Sequence, residues 1–110
     1  MLIRDKVMGM VGLCAKAGRL QSGYDACMNA LKRGKAQLIL VDSGASDNTR
    51  KAMNDACLFR KVQIRELPER ALGTTIGKPG RMTAVVIDEK FASNIIELVD
   101  QQRDCGGAYR

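Results

Sequence analysis

The sequence predicts an α/β fold, an α/β/α sandwich with helices on both faces of one sheet. Three observations predict it. Leu38-Ile39-Leu40-Val41 is an unbroken apolar run, too short for a helix and without polar alternation, which suits a central strand buried on both faces. Met82 to Ile87 is a second apolar strand. Amphipathic helical stretches and short strands alternate along the chain in the order αβαβαβαβα, which places helices on both sides of a sheet. The first strand is so short that three strands plus an extension fit the same pattern.

Taken in order, the first helix is expected over residues 3–17. Ile3, Val7, Met10, Val11 and Cys14 recur at i, i+4, i+7, i+8 and i+11, one apolar stripe. Gly18 is its natural C′ residue, and Leu20-Gln21 leaves room for a very short strand. Ser22-Gly23-Tyr24-Asp25 has the form of a capping box, with the Ser22 hydroxyl accepting from the N3 amide and the Asp25 carboxylate reaching back. The second helix, Tyr24 to Arg33, sets Ala26, Cys27, Ala30 and Leu31 on one face and stops at Gly34. After the Leu38 to Val41 strand, Asp42-Ser43-Gly44-Ala45-Ser46 turns the chain into a basic helix over residues 47–60, with Met53, Ala56 and Cys57 inward. Val62-Gln63-Ile64-Arg65 alternates as a strand with one wet face does.

Pro68 is expected to start a short helix from Glu69 to about Thr75, because proline suits the first helical turn. The stretch Gly73 to Gly80 superficially suggests a phosphate loop. It fails the test, since the Walker pattern needs four residues between its glycines and Ser or Thr after its lysine; here three separate Gly73 from Gly77, and Pro79 follows Lys78. A helix end and a turn fit better. Asp88 caps the last helix, which carries Phe91, Ile95, Leu98 and Val99 inward and ends near Gln102. The expected organisation is one domain over residues 1–103 and a flexible tail over 104–110, where Gly106 and Gly107 resist helix.

The bulk numbers narrow the function. A chain of 110 residues with 45% hydrophobic content suits one modest core, and a net charge of +6 favours an acidic partner such as nucleic acid. No apolar run approaches the roughly 20 residues of a membrane span. The N-terminus lacks the apolar core of a secretory signal, so a cytoplasmic protein with no membrane partner is expected. The cysteines, at 14, 27, 57 and 105, form no C-x-x-C pair, and there is no histidine. No metal site and no cofactor is therefore expected, and Cys14, Cys27 and Cys57 act as small apolar residues. No nucleophile has a recognisable base beside it and no pair of carboxylates stands out, so the sequence offers no catalytic residue and reads as not an enzyme. The starts of the second and third helices sit near one sheet, and such ends attract phosphates, although taken alone ordinary capping is the better account, since nearly every α/β protein has several such ends.

At this point a family resemblance enters. Gly12-Leu13-Cys14-Ala15-Lys16-Ala17-Gly18-Arg19-Leu20, Ser22-Gly23, Ala30 to Ala36, Asp42 to Thr49, and Ala71-Leu72-Gly73 with Ile76-Gly77-Lys78 stand in order along nearly the whole chain. Together they resemble the L-seven-Ae family of ribosomal proteins, and its small bacterial YlxQ-like branch. The resemblance implies a mixed four-stranded sheet and RNA binding, typically of the kink-turn, a sharply bent internal loop. The expected partners are structured RNA, ribosomal or messenger, and ribosomal proteins; separately from the resemblance, the chain is expected to be a monomer. It also implies that RNA is held by the start of the second helix and by the loop before the fourth. Carried over, these are Gly23, Tyr24, Asp25, Ala26 and Asn29, and then Arg65, Glu66 and Leu67.

Kink-turn binders of this family usually have Asn, Glu and Lys where this chain has Asp25, Ala26 and Asn29. A carboxylate has no donor for a guanine, an alanine no acceptor, and an asparagine no charge for phosphate. Beside these, Tyr24 offers a ring for stacking, and Lys32 and Arg33 offer phosphate contacts; a sheet edge cover and a solvated helix end are the plainer roles for the same residues. The leading expectation is a non-catalytic RNA-binding protein, ribosomal or ribosome-associated. The second is a protein-interaction adaptor on the same fold that has lost kink-turn readout.

Overall fold

A computed structural model gives the fold over residues 3–107, with side chains placed over 5–101. The elements are α1 (Ile3–Lys16), β1 (Leu20–Ser22), α2 (Tyr24–Lys32), β2 (Leu38–Asp42), α3 (Asp47–Arg60), β3 (Gln63–Leu67), α4 (Ala71–Ile76), β4 (Thr83–Val86) and α5 (Glu89–Gly107). The sheet has four strands in the order β1-β4-β2-β3, with β2 parallel to β3 and β4 antiparallel to both β1 and β2. It is mixed, as expected.

Strand periodicity divides the core in two. Leu38, Leu40, Ala84 and Val86 point to one side, against Val7, Val11 and Cys14 of α1, Leu72 of α4, and Ala92, Ile95 and Val99 of α5. Ile39, Val41 and Val85 point to the other, against Cys27, Ala30 and Leu31 of α2 and Met53 and Cys57 of α3. Every residue of β2 is buried, which is why its sequence shows no polar alternation. Full burial of a Leu or Ile side chain contributes roughly 1.5–3 kcal/mol, so β2 is the strand that ties both layers together.

Cys14, Cys27 and Cys57 are free and buried. Desolvation pushes each thiol up to about 11, the Asp88 carboxylate adding to the rise at Cys14 and a bond with Thr83 opposing it at Cys27. At neutral pH they are uncharged and pack as apolar groups. The side chain of Cys105 lies outside the described residues.

Four expectations are corrected. Ser22 is not a helix cap: it pairs with Ala84 as the last residue of β1, and Gly23 takes the N-cap position with no side-chain bond. β3 runs on to Leu67 because Leu40, Val41 and Asp42 of β2 offer parallel partners to Arg65, Glu66 and Leu67, which are therefore strand residues and not a loop. α4 begins at Ala71 rather than Glu69; Arg70 before it is left-handed (φ 63°), and Pro68 closes a turn by accepting from Ala71 N–H at 3.0 Å. α5 continues past Gln102, its backbone helical across the expected tail as far as Gly107; each glycine costs only about 1 kcal/mol in a helix already nucleated. Residues 108–110 lie outside the described residues. The capping expected at Asp88 is present, its Oδ1 accepting from Phe91 N–H at 3.0 Å.

Asp42, at the C-terminal end of β2, is a carboxylate with no exposed surface. Its Oδ1 accepts from Gly44 N–H at 2.8 Å and from Arg70 N–H at 2.9 Å, and its Oδ2 from Leu72 N–H at 3.3 Å. Its own N–H donates to Met82 O at 2.8 Å, and its carbonyl accepts from Ala45 N–H at 3.0 Å. One residue thus holds the β2–α3 turn, the start of α4 and the entry to β4. Asp42→Ala would strand these donors, each worth about 1–3 kcal/mol when buried and unpaired. It should cost on the order of 3 kcal/mol in urea unfolding at unchanged m-value, and Asp42→Asn, which keeps one oxygen, about half of that. A loss under about 1 kcal/mol for the alanine variant would contradict this role.

Candidate functional site

The strand registers bring four chain crossings to one end of the sheet. Ser22 lies opposite Ala84, Val41 opposite Thr83, and Asp42 beside Leu67, so β1, β2 and β3 leave the sheet where β4 enters it. The starts of α2, α3 and α4 and the α4–β4 connection therefore share this end. A helix start carries unpaired N–H groups and a partial positive charge; here that describes α2, which has no side-chain cap, whereas the amides of Arg70, Ala71 and Leu72 at the start of α4 are already taken by Asp42 and Pro68 O. Ser46 caps α3, accepting from Thr49 N–H at 3.2 Å.

Gly23 is the closest approach in the site. Its φ of 107° suits glycine, and its N–H donates to Thr83 O at 2.9 Å. The Arg81 guanidinium lies over it: a Cβ at Gly23 would stand 2.6 Å from Arg81 Nη1. The α4–β4 connection thus lays an arginine across the start of α2. That connection is itself packed down on α4, since a Cβ at Gly73 would stand 2.9 Å from Lys78 O. Lys78 N–H donates to Gly73 O at 2.9 Å, and Arg81 N–H to Lys78 O at 3.2 Å. Between α4 and this turn opens a cleft of about 300 Å³ with Arg70 and Arg81 at its sides and Thr74, Pro79 and Met82 lining it. Arg70, Lys78 and Arg81 are exposed, and among the described residues none of them forms a salt bridge.

The residues singled out from sequence divide into three groups. Gly23, Tyr24, Asp25, Ala26 and Asn29 do sit together at the start of α2, with Tyr24, Asp25 and Asn29 exposed and Ala26 half-buried. Arg65, Glu66 and Leu67 are differently disposed from a binding loop. Leu67 is buried in the core and Ser43 N–H donates to its carbonyl at 2.9 Å. Arg65 faces α5, giving Nε to Asp100 Oδ1 at 2.8 Å and Nη2 to Asp100 Oδ2 at 3.2 Å, and bonding Gln63 and Ile64 through Nη1. Glu66 pairs with Arg50 at 2.6 Å. Lys32 and Arg33 lie at the C-terminal end of α2, at the far end of the sheet from Gly23.

Arg70, Lys78 and Arg81 were not among the RNA-binding residues expected from sequence; Lys78 entered only through the rejected phosphate-loop pattern and the family resemblance. Lys78 and Arg81 flank the Pro79-Gly80 turn, a local signal for exposure, but nothing local places Arg81 over Gly23. Asp42 carried a partial signal, because Asp before Ser-Gly favours an Asx turn; its bonds to Arg70 and Leu72 are long-range and had none.

The model of the ribosomal protein L7Ae/L30e/S12e/Gadd45 family matches residues 5–97. The Bacillus subtilis (strain 168) protein called RNA-binding protein YlxQ is 36% identical over 92 residues, which are 83% of this chain and 92% of that one. The Enterococcus faecium protein of the same name is 33% identical over 98 residues, 88% of this chain and 94% of that one. A solved structure of a Bacillus halodurans protein of unknown function superposes with a TM-score of 0.83 at 29% identity, covering 86% of this chain and 97% of that one. The chain belongs to the L7Ae/L30e/S12e/Gadd45 family, in its YlxQ-like branch. No helix among the described residues is long and apolar enough to cross a membrane.

The Gly23–Arg81 approach is open to test. Gly23→Ala should lose roughly 1–3 kcal/mol, mostly from the positive-φ backbone, because the exposed Arg81 side chain can swing away from the new methyl group. Adding Arg81→Ala should return only the part due to the clash, read by thermal unfolding of the single and double variants. Full recovery in the double variant would show that backbone strain is negligible at this position.

Proposed function

We propose that this protein is a non-catalytic RNA-binding protein, ribosomal or ribosome-associated, that holds structured RNA against the end of the sheet where α2, α3 and α4 begin. The observation that carries the reading is that Arg70, Lys78 and Arg81, three cations without ion-pair partners among the described residues, stand at the end of the sheet where α2 starts, with Arg81 against Gly23. Helix N-termini and guanidinium groups are complementary to phosphate. The cleft between Arg70 and Arg81 offers an apolar floor and two planar cations, a setting in which an unstacked base can lie. The names of the Bacillus and Enterococcus relatives support the same ligand class.

Within this site the contacts of Gly23, Tyr24, Asp25, Ala26 and Asn29 decide selectivity. Gly23 leaves room for the Arg81 guanidinium to lie against the start of α2, where it can meet a phosphate, and Tyr24, 46% exposed, has ring surface available for stacking. Asp25 and Ala26 lack the donor and acceptor that the family's usual Asn and Glu offer a guanine, and Asn29 lacks the lysine charge. Phosphate contacts therefore dominate, and binding is salt-sensitive with little preference for a standard kink-turn.

The test is a titration of wild-type protein, Lys78→Glu/Arg81→Glu and Asp25→Asn/Ala26→Glu/Asn29→Lys against one kink-turn RNA and one straight duplex. Wild type should bind both weakly, with log K falling by about 0.9 per neutralised phosphate on duplex for each unit of log salt. The charge-reversal variant should lose at least tenfold. The triple variant should gain selectively on the kink-turn, since one charge-assisted bond of about 1.5–3 kcal/mol is tenfold or more. No binding by wild type at low salt would favour the adaptor reading. An unchanged affinity in a folded triple variant would show that readout lies elsewhere.

A further inference from the structure

At the opposite end of the sheet the C-terminal ends of α2 and α3 lie over the starts of β2 and β3, where Leu38 pairs with Gln63 and Val86. Between them is a concave cleft of about 500 Å³ whose polar rim is Lys32, Arg33, Arg60 and Lys61, with no carboxylate among its lining residues. None of these four cations has an ion-pair partner among the described residues. Lys61 is left-handed (φ 58°), at the position after a helix where glycine is the usual residue, so a cation stands where conformation alone would favour none. Phe59 does not line the cleft; it is 79% exposed and tied to the rim by the Arg60 guanidinium, which lies over its ring at 5.2 Å from the centroid. Helix dipoles account for a cation in each last turn. They do not account for a carboxylate-free rim around a cavity, nor for an exposed aromatic ring beside it.

We propose that this cleft is a second RNA contact, which holds the backbone of a single-stranded segment against Lys32, Arg33, Arg60 and Lys61 and stacks a base on Phe59. A cationic groove combined with an aromatic platform is the arrangement that binds single strands without sequence preference. A membrane surface is a poorer fit, because interfacial binding uses a broad apolar face rather than a cavity with a charged rim. The inference takes its ligand class from the RNA reading above and adds a second, independent end. The two sets of cations lie at opposite ends of the strands of one sheet, so the protein can bridge two segments of one RNA. Lys32 and Arg33, apart from the α2 start in the fold, acquire a common role here with residues of α3.

The experiment is fluorescence anisotropy of a labelled single-stranded oligouridylate at about 150 mM salt, where the Debye length of about 8 Å limits long-range effects. Wild type is compared with Lys32→Glu/Lys61→Glu, with Phe59→Ala, and with Lys6→Glu/Lys16→Glu, a control with the same net charge change on exposed positions of α1. The cleft variant should lose at least tenfold and its salt slope should fall by about 0.7 for each phosphate contact removed. Phe59→Ala should lose roughly five- to a hundredfold. The α1 control should stay within about twofold of wild type. All these side chains are exposed, and circular dichroism confirms that each variant is folded before titration. Equal losses in the control, or single-strand affinity that neither cleft variant changes, would overturn the proposal. So would binding to phosphatidylglycerol vesicles that the cleft variant abolishes while oligouridylate binding persists. If only Lys78→Glu/Arg81→Glu weakens RNA, the proposed function stands and this inference fails. If wild type binds no RNA of any kind, both fail together.

Discussion

Asp42 meets three backbone donors with its two carboxylate oxygens, at the point where β2 leaves the core. Burying a carboxylate is unfavourable unless it is fully hydrogen-bonded, and here the donors come from two separate connections. The bond to Arg70 N–H holds a residue whose left-handed backbone is disfavoured for any side chain with a Cβ. It thereby fixes the direction from which Arg70 enters its cleft. The bond to Leu72 N–H anchors the first turn of α4, and through Gly73 that helix carries the turn that bears Lys78 and Arg81. The cations of the candidate site are mounted, directly or at one remove, on this carboxylate.

The consequence is a rigid platform built from short connections. Gly44 and Glu69 pack across the platform, a Cβ at Gly44 standing 3.2 Å from Glu69 Cγ, so the β2–α3 and β3–α4 connections touch. Arg81 lies on Gly23 and joins α2 to the same unit. Among the described residues every buried side-chain polar atom has a hydrogen-bond partner, so this polar end adds no unpaired buried group to the fold. The opposite end is organised by helix C-termini and carries cations instead of a buried anion. Those two arrangements give the chain unpaired cations at both ends of the sheet, in different geometries.

How much of this was legible in the sequence follows the range of the interactions. The apolar run of β2, the stripe through Val7, Val11 and Cys14, the cap at Asp88 and the limits of α3 are local patterns, and each stands where periodicity puts it. Ser22 misled because its capping pattern is local while its strand pairing with Ala84 is not. Arg65 misled in the same way: its alternation gave the strand, but its pairing with Asp100 on α5 is set by tertiary packing. The α2 half of the candidate site was accessible through family resemblance. The half made by Arg70, Lys78 and Arg81 depends on where Asp42 places α4, and no short-range pattern encodes that.

The central claim is that the Asp42-organised end of the sheet is the surface that meets RNA. Amide chemical-shift mapping on nitrogen-15-labelled protein, titrated with a structured RNA, reads this directly because backbone N–H groups are themselves part of the surface. The account predicts that the largest changes fall on the amides of Gly23 to Ala26, Gly44 to Asp47, Arg70 to Leu72, and Lys78, Gly80 and Arg81. Shifts concentrated instead on the outer faces of α1 and α5, with those four stretches unmoved, would contradict it.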